Sequence, residues 1–357
     1  MKITLLDLFS GIGGFHLGLQ RSGFEVESYF SEIDKHAIQV YQNNFKEAKY
    51  VGSVKDVYGG DLPKIDAITF GSPCQDFSLA GKRKGMDGER SSLISEAIRL
   101  INECRPRFFI WENVKGTFSS NNGSDFAAIL QAFANIGGYR LEWQLLNTKW
   151  FLPQNRERIY LVGYLGKGSK GQIFPIGSND TEVNASIDRG NTCTLTARYT
   201  AVGTGSYINE LYKVSSATKK GYEIARKGDS INLSVPTSKT RRGRVGKGQA
   251  QTLDTHCNQA VIGDFRNDEG YRERKDGDSP TINSNNTKSE TGGTPIIVNK
   301  IRRLTPIECE RLQGFPDNWT KYGTKGEISD SQRYKMCGNA VTVDVVKAVA
   351  EKIKQII

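Results

Sequence analysis

Asp7-Leu8-Phe9-Ser10-Gly11-Ile12-Gly13-Gly14-Phe15 is the stretch on which the reading of this chain turns. It follows a short apolar run over 3–8 and leads into a helix-like stretch over 15–20 that stops near Gly23; a second apolar run over 26–30 comes next. Strand, glycine turn, helix and strand make one βαβ unit, and its first turn is where doubly wound sheets take a nucleotide-type cofactor. Glycines there let the backbone approach a ligand closely, although a glycine turn also serves purely structural ends. Glu32 closes the second strand and is well placed for ribose hydroxyls. The dinucleotide fingerprint needs a third glycine at position 16, and this chain has His16. A pyrophosphate is therefore disfavoured, while a phosphate-free nucleoside remains compatible.

Working outward, strand-like runs recur over 67–70, 108–111, 141–146 and 159–165, with helical patterns over 34–45, 92–103 and 125–136. Strands separated by helices of that length predict a mainly parallel sheet covered on both faces, an α/β fold. From about 166 to 298 the character changes: Gly, Ser, Thr and Asn dominate, Trp is absent and helical periodicity is lost. An imperfect repeat (Thr192–Arg198, Ser230–Ser234, Gln251–His256, Pro280–Ser284) predicts short strands and turns in a second, smaller lobe. Helical signals return after Arg302. Thr305-Pro306-Ile307-Glu308 reads as a capped helix start, and residues 342–357 form an amphipathic helix with Val343, Val346, Val349 and Ile353 on one side. The expected organisation is 1–165, an insertion over 166–300, and a segment over 301–357 that returns to the first domain.

With 357 residues, 37% hydrophobic, and 16 Phe, 14 Tyr and 4 Trp, the chain can bury a large core and is not globally disordered. The net charge is +10, and residues 201–250 carry ten basic side chains against three acids, +7 of that total. Such a run is either a solvated loop or a surface for a polyanion, for which nucleic acid is the common choice. No stretch approaches a membrane span, Met1-Lys2 leads straight into a strand, and six cysteines include no Cys-x-x-Cys pair. The expectation is a cytoplasmic protein with no metal and no disulfide framework.

Three further motifs flank the strands, two where strands end and one just before the strand over 159–165. Gly71-Ser72-Pro73-Cys74-Gln75 follows the run over 67–70, so Cys74 faces the crevice, either as a nucleophile or as a buried small apolar residue. Trp111-Glu112-Asn113 has the same location one strand on, which brings Glu112 to the same crevice. Gln154-Asn155-Arg156-Glu157-Arg158 offers two arginines at alternate positions, or a surface ion pair with Glu157.

Taken in order, Phe9 to Phe15, Glu32, Gly71 to Gln75 with Phe77-Ser78, Glu112-Asn113-Val114, Gln154 with Arg156 and Arg158, Arg303-Leu304-Thr305-Pro306 with Gln313-Gly314-Phe315-Pro316, and Cys337-Gly338-Asn339-Ala340-Val341 match family motifs in family order. The chain resembles the DNA cytosine-5 methyltransferases, nearly continuously over 3–165 and 301–353. The resemblance implies a Rossmann-like S-adenosylmethionine-dependent methyltransferase fold whose insertion over 166–300 is an irregular, β-rich target-recognition domain. It implies Cys74, Glu112, Arg156 and Arg158 as catalytic residues, with Phe9, Gly11, Gly13, Glu32, Pro73, Leu93, Asn339 and Val341 around S-adenosylmethionine. Where many members carry a Gly-Asp pair whose Asp bonds the adenine amine, this chain has Gly52-Ser53, leaving that contact to Ser53 and backbone or to Asp56.

Gln75 and Ser78 match loop positions that touch DNA; Arg198, Arg241, Arg242 and Arg244 are the further DNA-binding candidates. The implied partner is double-stranded DNA, met by a monomer of bacterial or phage type, without a membrane or a metal. Any cognate restriction endonuclease is expected to form no stable complex with it. A relative acting on transfer RNA would carry a Cys-Phe-Thr tripeptide and a shorter recognition region, and a catalytically silent DNA-binding relative would have lost Cys74, Glu112 or Arg158; neither pattern is found.

Overall fold

The computed structural model describes residues 1–72, 92–119, 123–165, 171–177, 212–226, 229–232, 244–255, 259–263 and 300–357. Expectations for Pro73, Cys74, Gln75, Ser78, Arg198, Arg241 and Arg242 lie outside these residues, as do the first and last copies of the repeat.

In chain order the first elements are β1 (Lys2–Leu8), α1 (Gly14–Arg21), β2 (Glu25–Ser31), α2 (Lys35–Asn44), β3 (Lys49–Tyr50), β4 (Ala67–Gly71), α3 (Ser92–Cys104), β5 (Phe108–Val114), α4 (Gly116–Ser119), α5 (Ser124–Asn135), β6 (Tyr139–Asn147), β7 (Gln154–Asn155) and β8 (Glu157–Leu165). They build a seven-stranded sheet in the order β3-β2-β1-β4-β5-β8-β6. The order reverses between β1 and β4, the switch point beyond whose carboxyl ends a doubly wound sheet opens a crevice. Pairing is parallel from β3 through β5, as expected, but β8 runs antiparallel to both β5 and β6. The cause is the link over 148–156, too short to carry the crossover of a dozen or more residues that a parallel return requires.

Both faces of the sheet are buried, and the period of two shows it. Ile3 and Leu5 of β1, Phe108 and Ile110 of β5, and Tyr160 and Val162 of β8 enter one core. Their neighbours Leu6 and Leu8, Phe109 and Trp111, and Ile159 and Leu161 enter the other. The first core is roofed by α1 and by α8 (Val343–Ile356), through Phe15 and Leu19 from one and Val345, Val346, Val349 and Ile353 from the other.

α1 and α8 meet closely because Gly18 has no side chain. A Cβ there would lie 2.5 Å from Val346 Cγ1 and 3.1 Å from the Val343 carbonyl oxygen. Gly18→Ala is therefore expected to destabilise the protein by about 1–3 kcal/mol through overpacking, outweighing the roughly 1 kcal/mol that alanine gains by helix propensity. A lower urea midpoint at unchanged m-value would show it; a higher midpoint would mean that α8 yields without cost.

The remaining elements are β9 (Tyr212–Ser215), β10 (Tyr222–Ala225), β11 (Ser230–Asn232), β12 (Val245–Gly246), β13 (Ala250–Gln251), β14 (Gln259–Gly263), β15 (Lys300–Arg303), α6 (Pro306–Leu312), β16 (Tyr322–Gly323), β17 (Gly326–Glu327) and α7 (Asp330–Asn339). The chain divides into two compact units, Met1–Ser186 with Thr252–Cys257 and Thr305–Ile357, and Ile187–Gln251 with Asn258–Leu304. In the first unit, Thr305 caps α6 in a reciprocal capping box with Glu308, as its sequence predicts. Residues 171–177 also belong to this unit: Glu142 on β6 accepts from the amides of Ile173 (2.9 Å) and Phe174 (3.3 Å). The second unit holds the antiparallel hairpin β9–β10 and a small antiparallel sheet, β12-β11-β14-β15, around Val214, Ala225 and Ile231. The second copy of the repeat places a strand there, Ser230–Asn232, and most of the third copy, residues 252–255, falls in the first unit.

Candidate active site

Beyond the carboxyl ends of β1, β2, β4 and β5 lies a cleft of about 850 Å³ in the first unit. Phe9, Gly11, Glu32, Ser53, Leu93 and Asn339 line it together with Glu112, Arg156 and Arg158. Residues expected to serve a cofactor and residues expected to serve catalysis thus share one opening. Gly13 and Val341 stand behind the wall: a Cβ on Gly13 would lie 2.4 Å from the Phe45 ring, and Val341 packs into the core against Gly14.

The turn after β1 is held open by positive φ at Phe9 (50°) and Gly11 (52°), and the Gly11 amide donates to Glu32 Oε2 at 2.8 Å. Glu32 Oε1 accepts from the amides of Ile33 (2.7 Å) and Asp34 (2.9 Å), so three donors fix the plane of this carboxylate. On the adjoining wall Ser53 starts a single 3-10 turn and accepts from Lys55 N at 3.4 Å, while Asp56 points into solvent outside the cleft lining. Arg99 on α3 ties this turn down by donating to the carbonyls of Val57 (2.8 Å) and Val54 (3.4 Å). Asp34 caps α2 at the rim. Burial opposes its ionisation, yet Lys335 at 2.6 Å and the amides of His36 and Ala37 together hold its carboxyl below the usual range.

The opposite wall is built by register. β5 and β8 pair Val114 with Arg158 and Glu112 with Tyr160, which sets Arg158 Nε 3.1 Å from Glu112 Oε1. Glu112 is 8% exposed, and room for it depends on Gly71, where a Cβ would lie 3.2 Å from Glu112 Oε2. Asn113 is bonded to Ser72, the last described residue before the segment that carries Cys74.

Arg156, expected among the catalytic residues at the reacting site or on a phosphate, lines the cleft with its guanidinium held by backbone carbonyls. It is buried, and its guanidinium donates to the carbonyls of Ala340 (2.9 Å) and Gly338 (3.4 Å), clamping the segment that presents Asn339. Arg244, expected to meet DNA, is likewise 4% exposed, with its guanidinium on the Asn232 carbonyl at 2.9 Å. Among the described residues of the second unit, Lys219 and Lys220 are exposed in the turn between β9 and β10, and Arg226 is exposed just after β10.

Under the glycine turn lies a buried polar group that sequence reasoning missed. Asp7, at the end of β1, accepts from Thr69 Oγ1 (2.8 Å) and from the Tyr41 hydroxyl (3.3 Å). The same hydroxyl meets His16 Nδ1 (3.1 Å) and Ser28 Oγ (2.9 Å). Burial pushes the Asp7 carboxyl up to about 8, against the two hydrogen bonds and with help from the charge of Glu32. Burial pushes His16 down to about 3. His16 stacks on Phe45 at 3.7 Å, so the residue that breaks the dinucleotide fingerprint is a neutral core side chain. Its only signal in the sequence was a histidine where a glycine was wanted.

Among the described residues, no cluster of His, Cys, Asp and Glu is arranged to hold a metal ion, and no helix is long and apolar enough to cross a membrane.

Comparison with known proteins agrees with this geometry. Residues 3–355 match the family model described as C-5 cytosine-specific DNA methylase. The type II methyltransferase M1.ScrFI of Lactococcus lactis subsp. cremoris is 33% identical, over 100% of this chain and 79% of that protein. The type II methyltransferase M.NlaX of Neisseria lactamica is 32% identical, over 98% of this chain and 96% of its own length. In fold, the crystal structure of the S. pombe Dnmt2 methyltransferase superposes with a TM-score of 0.56 at 18% identity, covering 99% of each chain. The sheet order, the cleft at its switch point and a family match that runs almost end to end agree: the chain belongs to the C-5 cytosine-specific DNA methylases, enzymes that transfer a methyl group to C5 of cytosine in DNA.

Proposed function

We propose that this chain methylates cytosine C5 within a short sequence of duplex DNA, with S-adenosylmethionine as donor and through a covalent bond between Cys74 and cytosine C6. The observation that carries the reading is the single cleft in which the Glu32 carboxylate and the Glu112–Arg158 pair face a common space. The cofactor end suits an adenosyl group. A carboxylate offers about four lone-pair sites, of which backbone amides take three at Glu32, so one is left for a ribose hydroxyl. Ser53 and Val54 supply a wall for the adenine, with Ser53 rather than the solvent-facing Asp56 at the amine. Phe9, Gly11, Leu93 and Asn339 complete the lining, Pro73 would join them, and Gly13 and Val341 support it from behind. S-adenosylmethionine supplies, when bound, a sulfonium methyl that an activated cytosine C5 can take.

The chain must do the activating. Cytosine C5 is a weak nucleophile, and addition of the Cys74 thiolate to C6 turns the ring into an enamine with density at C5. That addition pushes negative charge toward N3 and O2. Glu112 lies 3.1 Å from Arg158, so its carboxyl can accept from the exocyclic amine and pass a proton to N3 as charge builds there, while the guanidinium donates to O2. Loss of the C5 proton and of the thiolate then restores the ring. Arg156, held by carbonyls, acts on Asn339 rather than on the base. Because C6 is hidden in a duplex, the target base must leave the stack, with Gln75 and Ser78 contacting the strand it leaves. We assign the second unit to target recognition; Lys219, Lys220 and Arg226 offer phosphate contacts, Arg241 and Arg242 would add to them, and Arg198 is a candidate for reading a guanine edge.

Incubation with tritiated S-adenosylmethionine and duplex DNA, followed by digestion to nucleosides, is expected to place the label in 5-methyl-deoxycytidine. Label in RNA alone, or on an adenine or cytosine amine, would overturn the proposal.

A further inference from the structure

We infer that Asn113 is a positioning residue that fixes, relative to Glu112, the point where the Cys74-bearing segment leaves the sheet. The inference rests on the reading of Cys74 and Glu112 just given. β4 and β5 pair in parallel register as far as Gly71 opposite Glu112; there β4 ends, while β5 continues to Val114. The next residue, Ser72, has left the ladder and is two positions before Cys74 in the sequence. A side chain takes over where the ladder stops: Asn113 Nδ2 donates to the Ser72 carbonyl and to Ser72 Oγ, both at 3.2 Å. Trp111 Nε1 donates to the same hydroxyl at 3.1 Å.

The orientation of the Asn113 amide is itself fixed. Its Oδ1 accepts from Val114 N at 2.7 Å, a group that can only donate, so Nδ2 must face Ser72; the Thr117 hydroxyl adds a second donor to Oδ1 at 3.1 Å. Asn113 is 1% exposed, and water does not compete for these bonds. The bonds of this amide thus tie the exit of β4 to the end of β5, whose Glu112 faces the cleft, and to α4 beyond it. Catalysis by a thiol and a carboxyl acting on one ring depends on their mutual placement, and an error of about 1 Å in such a placement costs on the order of 10²-fold in rate.

Asn113→Asp preserves shape and both acceptor bonds but turns an acceptor toward the Ser72 carbonyl. It is expected to lower kcat about 10²-fold while the KM values for S-adenosylmethionine and DNA stay within about threefold. Acid should partly rescue it, because a protonated carboxyl can donate to the Ser72 carbonyl again; the ratio of variant to wild-type kcat is expected to rise as pH falls toward 5. Thr117→Val, which removes only one bond orienting the amide, is expected to lower kcat about fivefold with KM unchanged. Kinetics should be read beside thermal melting and binding of S-adenosylmethionine. A kcat within threefold of wild type for both variants would overturn the inference. So would losses of kcat, cofactor binding and Tm that fall together and show no acid rescue, since that pattern belongs to a merely structural residue. Wild-type protein that fails to label cytosine C5 would instead sink the underlying function and is seen before any variant is made.

Discussion

Cys74→Ser is expected to leave the protein folded and binding duplex DNA and S-adenosylmethionine within a few-fold of wild type, while turnover falls by more than about 10³-fold. A serine hydroxyl is almost the same size as the thiol, but it ionises far less readily near neutral pH and needs a neighbouring base to attack. The cleft offers none of the usual kind: no histidine is among the described residues that line it, and His16 is buried and already bonded to Tyr41. Glu112 is engaged by Arg158 and is assigned to the ring edge, so it is not available to deprotonate a hydroxyl. Single-turnover assays measure the loss. DNA carrying 5-fluorocytosine gives a second readout, because the C5 proton can no longer leave and the adduct persists through denaturing electrophoresis. Wild type is expected to form that adduct and the variant is not. Turnover within tenfold of wild type in the variant would exclude covalent addition through this thiol.

How much of this was legible beforehand depends on where the information resides. Apolar runs separated by helical stretches announced a sheet buried on both faces, and Glu32 and Glu112 were legible because each follows such a run toward the carboxyl ends of the strands, where the crevice lies. The direction of β8 was not, since a period of two is the same for parallel and antiparallel strands; only the link over 148–156 decides it. Nor was the use of Arg156, whose carbonyl partners lie more than 180 residues further along the chain. Arg244 sits in a basic run whose spacing says nothing about which member is buried, and it is the strand at Val245 that draws it in. Asp7, Tyr41 and His16 come from two helices and a strand and carry no shared pattern, so the polar group in the core beneath the glycine turn showed in the sequence only as a histidine where a glycine was wanted.

That buried group dictates how stability should change with pH. Asp7 titrates near 8 in the fold and near 3.8 in the unfolded chain, so between those values only the folded form holds the proton. Its contribution is complete below about pH 4 and is lost as pH rises toward 8. His16 works the other way: it titrates near 3 when folded and near 6.5 when unfolded, so the unfolded form binds the extra proton and stability is lost as pH falls through that window. Each slope is about 1.4 kcal/mol per pH unit. Between roughly pH 4 and 6.5 the two cancel, leaving a plateau; from 6.5 to 8 Asp7 acts alone, and wild type is expected to lose about 2 kcal/mol from this pair. Asp7→Asn isolates the effect, because an amide keeps an acceptor for Thr69 and puts a donor toward the Tyr41 hydroxyl, as a protonated carboxyl does. The stability of the variant relative to wild type, from urea unfolding at a series of pH values, is expected to climb by about 1.4 kcal/mol per unit from pH 4 to 8, on the order of 5 kcal/mol in all. A difference that stays flat across that range would mean that Asp7 is already ionised in the folded protein and that Thr69 and Tyr41 hold an anion beneath the glycine turn.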